Sequence, residues 1–233
     1  MTYSAKDHWE VALAEDINRN NYPAQGLIRL IKGDYPNLTP IPTKADVLDI
    51  GCGDARNTKF LADEGNRATG IEIAAETVIS LQEKYPRLVF LQGSSNCLPV
   101  KSDAFDVVIA WNSIYYMGLT DGDIQVHFEE CKRVLRKSHS SRLVLSIPMP
   151  TSFIYEESIL IRESAGVQYR SITKDPYNVR IGETLTMFPN LESLTVSLHT
   201  SGFTNLEIGE EMGNWFGRQY DWWIISAQLS DLS

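Results

Sequence analysis

The stretch 47-VLDIGCGDARNTKFLADEG-65 decides how the rest of the chain is read. Val47 to Ile50 is an apolar run interrupted by Asp49. Gly51-Cys52-Gly53 follows, and then an amphipathic charged segment. That order predicts a buried strand, a tight turn and a helix closed by Gly65. Gly51 and Gly53 have no Cβ, so the turn can take positive φ and a ligand can come close to its backbone. The helix after the turn presents unpaired N–H groups to an anion or carboxylate.

Working outward, strands and helices alternate. Strands are expected at 45–50, 68–73, 88–93, 105–111 and 142–148, with helices at 55–64, 75–85 and 120–137, the last opened by a capping box of Thr120 and Asp123. Strands apolar along their whole length, separated by helices, indicate a parallel sheet covered on both faces. Upstream, Trp9, Leu13 and Ile17 share one helical face. A second helix begins after Pro23 and stops at Gly33, and a Pro-rich linker follows. The rhythm breaks at 151–189, where β-rich pieces flank "KDPYN", read as a hairpin. It resumes with a helix at 190–202 and strands at 204–211 and 220–229. The expectation is a single domain over 1–233. It comprises an N-terminal helical lid and linker (1–44), a core (45–150), a cap (151–189), and a C-terminal helix with two strands (190–233).

The 233 residues carry a net charge of −9, with 43% hydrophobic and 22% charged residues. That balance suits a globular chain and argues against a nucleic-acid partner, which needs clustered Lys and Arg. The basic run Lys132 to Arg142 reads as a helix C-terminus. Cys52, Cys97 and Cys131 form no CxxC pair, so no metal site is expected and the thiols suit a reducing cytoplasm. No signal peptide or membrane span is expected. The sequence leaves the oligomeric state open.

The turn has the wrong chemistry for a pyrophosphate. A dinucleotide fold puts a third glycine where this chain has Arg56, and Asp49 would repel phosphate. Asp49 would instead attract an ammonium group. Glu72, closing the next strand, can accept two hydrogen bonds from a ribose diol. An amino-acid end and a ribose end together describe S-adenosylmethionine. With "VLDIGCGDARNTKFLA", "GIEI" and "LQGSSNCLPVKSDAFDVVIAWNSIYYM", the chain resembles the class I S-adenosylmethionine-dependent methyltransferases, closely over 45–146 and loosely from Asn190. The resemblance implies an α/β, Rossmann-like, seven-stranded, mostly parallel sheet whose last strand is antiparallel. N-terminal helices and a cap inserted after the fifth strand complete the architecture.

It also implies site roles. Asp49 would hold the methionine amine, while Gly51, Cys52 and Gly53 line the cofactor. Glu72 would bind the ribose and Ile73 pack on the adenine. The family's frequent Gly-Asp-Ala after the third strand is here Gly-Ser-Ser; Ser94 lines the site but lacks the aspartate's charge, so the adenine contact passes to backbone groups of Ser95 or to Asn96. Asn112, Tyr115 and Tyr116, after the fourth strand, are the candidates to orient an acceptor near the methyl group. The two tyrosines are expected to point opposite ways. The asparagine-proline-proline-aromatic motif of base-methylating enzymes is absent.

The expected reaction is therefore transfer of a methyl group to an oxygen or nitrogen of a small molecule, leaving S-adenosylhomocysteine. Arg170 or Arg180 of the cap could grip an anionic group, or the cap could be a structural hairpin. Trp215, Phe216, Trp222 and Trp223 could form an acceptor wall, with at least one tryptophan in the core. Cys52 reads as a small filler, His127 and His199 as surface or packing residues, His139 as solvated, and His8 as a residue of the lid. The rivals are a nicotinamide-dependent oxidoreductase and a non-catalytic S-adenosylmethionine-binding partner subunit.

Overall fold

Strand β1 (Asp46–Ile50) is apolar because both its faces are covered. Val47 joins one core with Leu27, Leu61, Ile109 and Val144, while Leu48 and Ile50 join another with Val108, Phe128, Leu145 and Leu194. Alternating side chains thus feed two layers. The computed structural model describes Trp9 and residues 22–117 and 122–230. β1 pairs in parallel with β2 (Arg67–Glu72) on one side and β4 (Val107–Trp111) on the other. β2 in turn pairs with β3 (Val89–Gln92). With β6 (Arg142–Pro148), β10 (Phe203–Trp215) and β11 (Arg218–Leu229), the seven strands run in the order β10-β11-β6-β4-β1-β2-β3. β11, last in the chain, is antiparallel to both neighbours.

Helices α1 (Gln25–Lys32), α2 (Arg56–Asp63), α3 (Ala75–Lys84), α4 (Gln125–Val134) and α5 (Leu191–Thr200) accompany the sheet. α1 ends at Gly33, as its sequence indicates. α4 starts later than the sequence suggests. Its N-cap is Ile124, without a side-chain cap, because Asp123 is taken by Arg162 and Ser164. Thr120 lies outside the described residues, as do His8 and, apart from Trp9, the expected N-terminal helix. α5 carries an unforeseen capping box between Asn190 and Ser193.

The segment after β6 builds a second sheet, in the order β5-β9-β8-β7, from β5 (Tyr116–Met117), β7 (Ser158–Ser164), β8 (Val167–Ile172) and β9 (Thr184–Met187). β8 and β9 pair antiparallel on either side of "KDPYN", as expected, and a tighter hairpin precedes them. It turns at Ala165 and Gly166, at φ 49° and 76°, between β7 and β8. Two consecutive positive φ values match the twist of paired strands. "KDPYN" lies in the longer β8–β9 connection, where the Asp175 carboxylate accepts the N–H groups of Val179 and Arg180. No helix among the described residues is long and apolar enough to cross a membrane.

Candidate active site

The two glycines of the turn sit at φ 67° and 54° and do different things. A Cβ on Gly51 would lie 2.4 Å from the Ser113 Cβ. Gly51 therefore admits Ser113, whose hydroxyl donates to the Ile50 carbonyl at 2.6 Å. A Cβ on Gly53 would meet nothing within 4 Å, so that face of the turn is open. Between them Cys52 is buried, its N–H bonded to the Ile71 carbonyl at 2.9 Å. Burial raises its thiol pKa, which keeps it protonated and suits a filler.

Two buried acids flank the turn. Asp49 accepts from the Thr58 hydroxyl at 2.6 Å, and burial pushes its pKa up to about 7 against the opposing pull of that bond. Glu72 accepts the N–H groups of Gly53 at 3.0 Å, Ile73 at 2.7 Å and Ala74 at 3.1 Å. Burial raises its pKa and these three bonds oppose the rise. A carboxylate has about four lone-pair directions, so Glu72 retains capacity for a hydroxyl. Both acids thus fit a ligand with a cation at one end and hydroxyls at the other.

Gly51, Glu72, Ile73, Ser94, Ser95, Ser113 and Tyr116 border a cavity of about 210 Å³. Asp49, Cys52, Gly53 and Asn96 do not line it. Ser95 is held from beneath by His127, whose Nδ1 lies 2.6 Å from the serine hydroxyl. His127 is fully buried, so of the surface and packing readings it takes packing, with a hydrogen bond to the cavity wall that the distance in sequence concealed. A second cavity, of about 1430 Å³, is bordered by Tyr115, Phe153, Tyr177, Arg180, Tyr220 and Trp222 among others. Trp9, Asn112 and Tyr116 line both cavities.

The loop after β4 makes that junction. Asn112 takes φ 55°, and its N–H and side-chain oxygen both bond the Ser146 hydroxyl at 2.8 Å. Tyr115 and Tyr116 do not diverge. Their rings stack at 4.9 Å and 25°, because the chain turns at Ile114 and Tyr115 instead of extending. Tyr115 is 2% exposed and belongs to the core as well as the large cavity, while the Tyr116 hydroxyl accepts from the Arg180 Nε at 3.1 Å. Burial raises the Tyr116 pKa and Arg180 offsets part of the rise, so the phenol stays protonated near neutral pH. Arg180 pairs with buried Asp175 at 2.9 Å, a partner that sequence reasoning did not identify. Arg170 is absorbed by Ser158 and Gln168 instead. Trp223 is the core tryptophan, Trp222 and Trp215 line the large cavity, and Phe216 is fully exposed.

Comparison with known proteins agrees with this geometry. Residues 47–138 match the methyltransferase domain family. A probable S-adenosylmethionine-dependent methyltransferase of Mycobacterium tuberculosis is 29% identical over 119 residues, covering 51% of this chain and 41% of that protein. This chain thus spans about two fifths of that relative's length. Among solved structures, the CcbJ methyltransferase of Streptomyces caelestis has a TM-score of 0.64 at 15% identity, covering 98% of this chain and all of the other. The 1,6-didemethyltoxoflavin N1-methyltransferase of Burkholderia thailandensis, solved with 1,6-didemethyltoxoflavin and S-adenosylhomocysteine, has a TM-score of 0.60 at 14% identity, covering 97% and 80%. Residues 47–138 thus match a methyltransferase domain, and the order of the seven strands and the acid–glycine turn resemble those of the class I S-adenosylmethionine-dependent methyltransferases.

Proposed function

We propose that the protein transfers a methyl group from S-adenosylmethionine to an oxygen or nitrogen of a small molecule. The observation that carries this reading is the pair of cavities with a common border at Asn112 and Tyr116. The smaller would take the cofactor and the larger the acceptor, with residues 151–189 as the acceptor cap. When bound, the cofactor supplies a methyl on a sulfonium; the S–C electron pair returns to sulfur as the acceptor lone pair forms the new bond. The chain's contribution is alignment, which supplies much of the rate in such displacements. Asp49 would sit at the amine end, Glu72 would take the ribose, and Ile73, Ser94, Ser95 and Asn96 would surround the adenine. The 1,6-didemethyltoxoflavin bound to the Burkholderia enzyme is a small molecule, in line with this class of acceptor.

Calorimetry with S-adenosylmethionine and with NAD tests the reading. Binding of the first alone is expected; binding of NAD alone would overturn it in favour of an oxidoreductase. Formation of S-adenosylhomocysteine with an acceptor distinguishes an enzyme from a partner subunit.

Tyr116 gives a sharper test. Its oxygen accepts from Arg180, so its own O–H is left to donate toward the acceptor. Tyr116→Phe should lower kcat about two- to tenfold, as befits one neutral hydrogen bond of roughly 0.5–1.5 kcal/mol, with cofactor affinity intact. Tyr115→Phe should change little; equal losses in both variants would remove the assignment.

Asp49 gives a pH dependence. Its folded pKa of about 7 lies above the ordinary value of 3.8, so the folded state holds the extra proton between those values. Its contribution to stability is complete below about pH 4 and is lost as pH rises through 7. A bound ammonium group favours the carboxylate and lowers the pKa. Cofactor affinity should therefore fall as pH drops below 7, with proton release on binding near pH 6. Calorimetry in buffers of different ionisation enthalpy measures that release, and its absence would separate Asp49 from the amine.

A further inference from the structure

The geometry points to a planar aromatic or heteroaromatic acceptor bearing a neutral or singly ionised oxygen, stacked in the larger cavity and gripped by Arg180. This rests on reading that cavity as the methyl-acceptor site. Phe153 lies 4.5 Å from Tyr220 and 6.3 Å from Trp222, and Tyr220 and Trp222 stack at 5.9 Å, centroid to centroid. The Tyr177 hydroxyl bonds that of Tyr220. These rings come from three separate segments yet border one space with Arg180. Flat faces and edges of this kind favour a flat guest, which gains stacking or edge contacts beyond the area it buries.

Arg180 fixes the polar end. Its Nε is spent on Tyr116 and its Nη1 on Asp175, but its Nη2 has no acceptor among the described residues. The side chain is 18% exposed and borders the cavity, so the remaining N–H groups of a rigid fork are available there. Asp175 pairs with Arg180, and around the rest of the space Arg29 and Arg56 are outnumbered by Glu207, Glu210 and Glu211. That balance disfavours a phosphate or other polyanion and suits a carbonyl, phenol or phenolate. Because Arg180 also bonds Tyr116 at the junction of the cavities, an oxygen held by Nη2 would sit close to where the methyl is delivered.

The test uses the full chain saturated with S-adenosylhomocysteine. Three flat probes, catechol, 4-hydroxyquinoline and lumazine, are compared with aliphatic probes of similar size, cyclohexane-1,2-diol and monomethyl malonate. Binding is read by tryptophan fluorescence and calorimetry. At least one flat probe should bind tenfold or more tightly than either aliphatic one. Arg180→Lys, which keeps the charge but removes the fork, should weaken that probe at least tenfold while leaving S-adenosylhomocysteine affinity unchanged. Trp222→Leu, away from the ion pair, should do the same if Arg180→Lys fails to fold. Equal or tighter binding of the aliphatic probes, or flat-probe binding indifferent to the folded variants, overturns the aromatic class with the methyltransferase reading standing. Failure of S-adenosylhomocysteine itself to bind overturns that underlying reading.

Discussion

Gly51→Val should bind no S-adenosylmethionine and should melt well below the unaltered protein. The new Cβ would stand 2.4 Å from that of Ser113, and the backbone at φ 67° is one that branched side chains resist. The left-handed conformation costs about 1–2 kcal/mol and the forced contact a further 1–3 kcal/mol or so. At roughly 2–4 °C per kcal/mol for a domain of this size, the midpoint should drop by about 5–20 °C. Because that variant disturbs the fold as well as the site, Gly53→Ala is the companion. At φ 54° with open space around its Cβ position, it should lose only about 1–2 kcal/mol of stability. If the cofactor crosses this turn, Gly53→Ala should nevertheless bind it at least tenfold more weakly. Normal affinity there, measured by calorimetry on a folded sample, would remove the ligand from the turn.

Glu72→Ala should have the second largest effect, and on two quantities at once. The carboxylate gathers the N–H groups of Gly53, Ile73 and Ala74, so its loss loosens the turn from the side of β2. It would also deprive a ribose of its acceptor. Hydrogen bonds to a charged group are worth roughly 1.5–3 kcal/mol, which corresponds to a loss of about ten- to a hundredfold in affinity. 5′-Methylthioadenosine keeps the ribose but lacks the amino acid, so it should lose affinity alongside S-adenosylmethionine. Unchanged binding of both ligands to the folded variant would sink the ribose assignment.

The strand–turn–helix from β1 to α2 was legible because each signal is local. An apolar run fixes a buried strand, paired glycines fix the turn, and Glu72 follows at the end of the next strand. The antiparallel β11 was legible only through family resemblance. The hairpin around "KDPYN" was legible from its Pro176 and Asn178 turn signals, whereas the tighter one at Ala165-Gly166 was not, because a single glycine beside alanine is a weak turn signal until strand pairing fixes it. The divergence of Tyr115 and Tyr116 failed because period-two alternation assumes an extended chain, and theirs turns. Ser146 beneath Asn112, His127 beneath Ser95 and Asp175 beside Arg180 are contacts made by folding. Nothing in local spacing announces the first two. Asp175 stands close to Arg180 in sequence, but two residues in a loop do not specify an ion pair.

Strand β5 is only two residues long, yet it belongs to the second sheet, not the first. Tyr116 and Met117 pair with Leu185 and Thr184 of β9, and the Thr186 N–H bonds the Tyr115 carbonyl at 2.8 Å. The loop at the cavity junction is thus hydrogen-bonded into the sheet built by residues downstream of β6. If residues 151–189 form the acceptor cap proposed above, the heritable unit of acceptor choice is discontinuous: residues 112–117 must travel with 151–189. A chimera that exchanges 151–189 alone replaces one side of that ladder and leaves Tyr116 registered against a foreign strand. Exchanging both pieces together preserves the pairing, so new acceptor ranges are reached through paired substitutions on either side of α4.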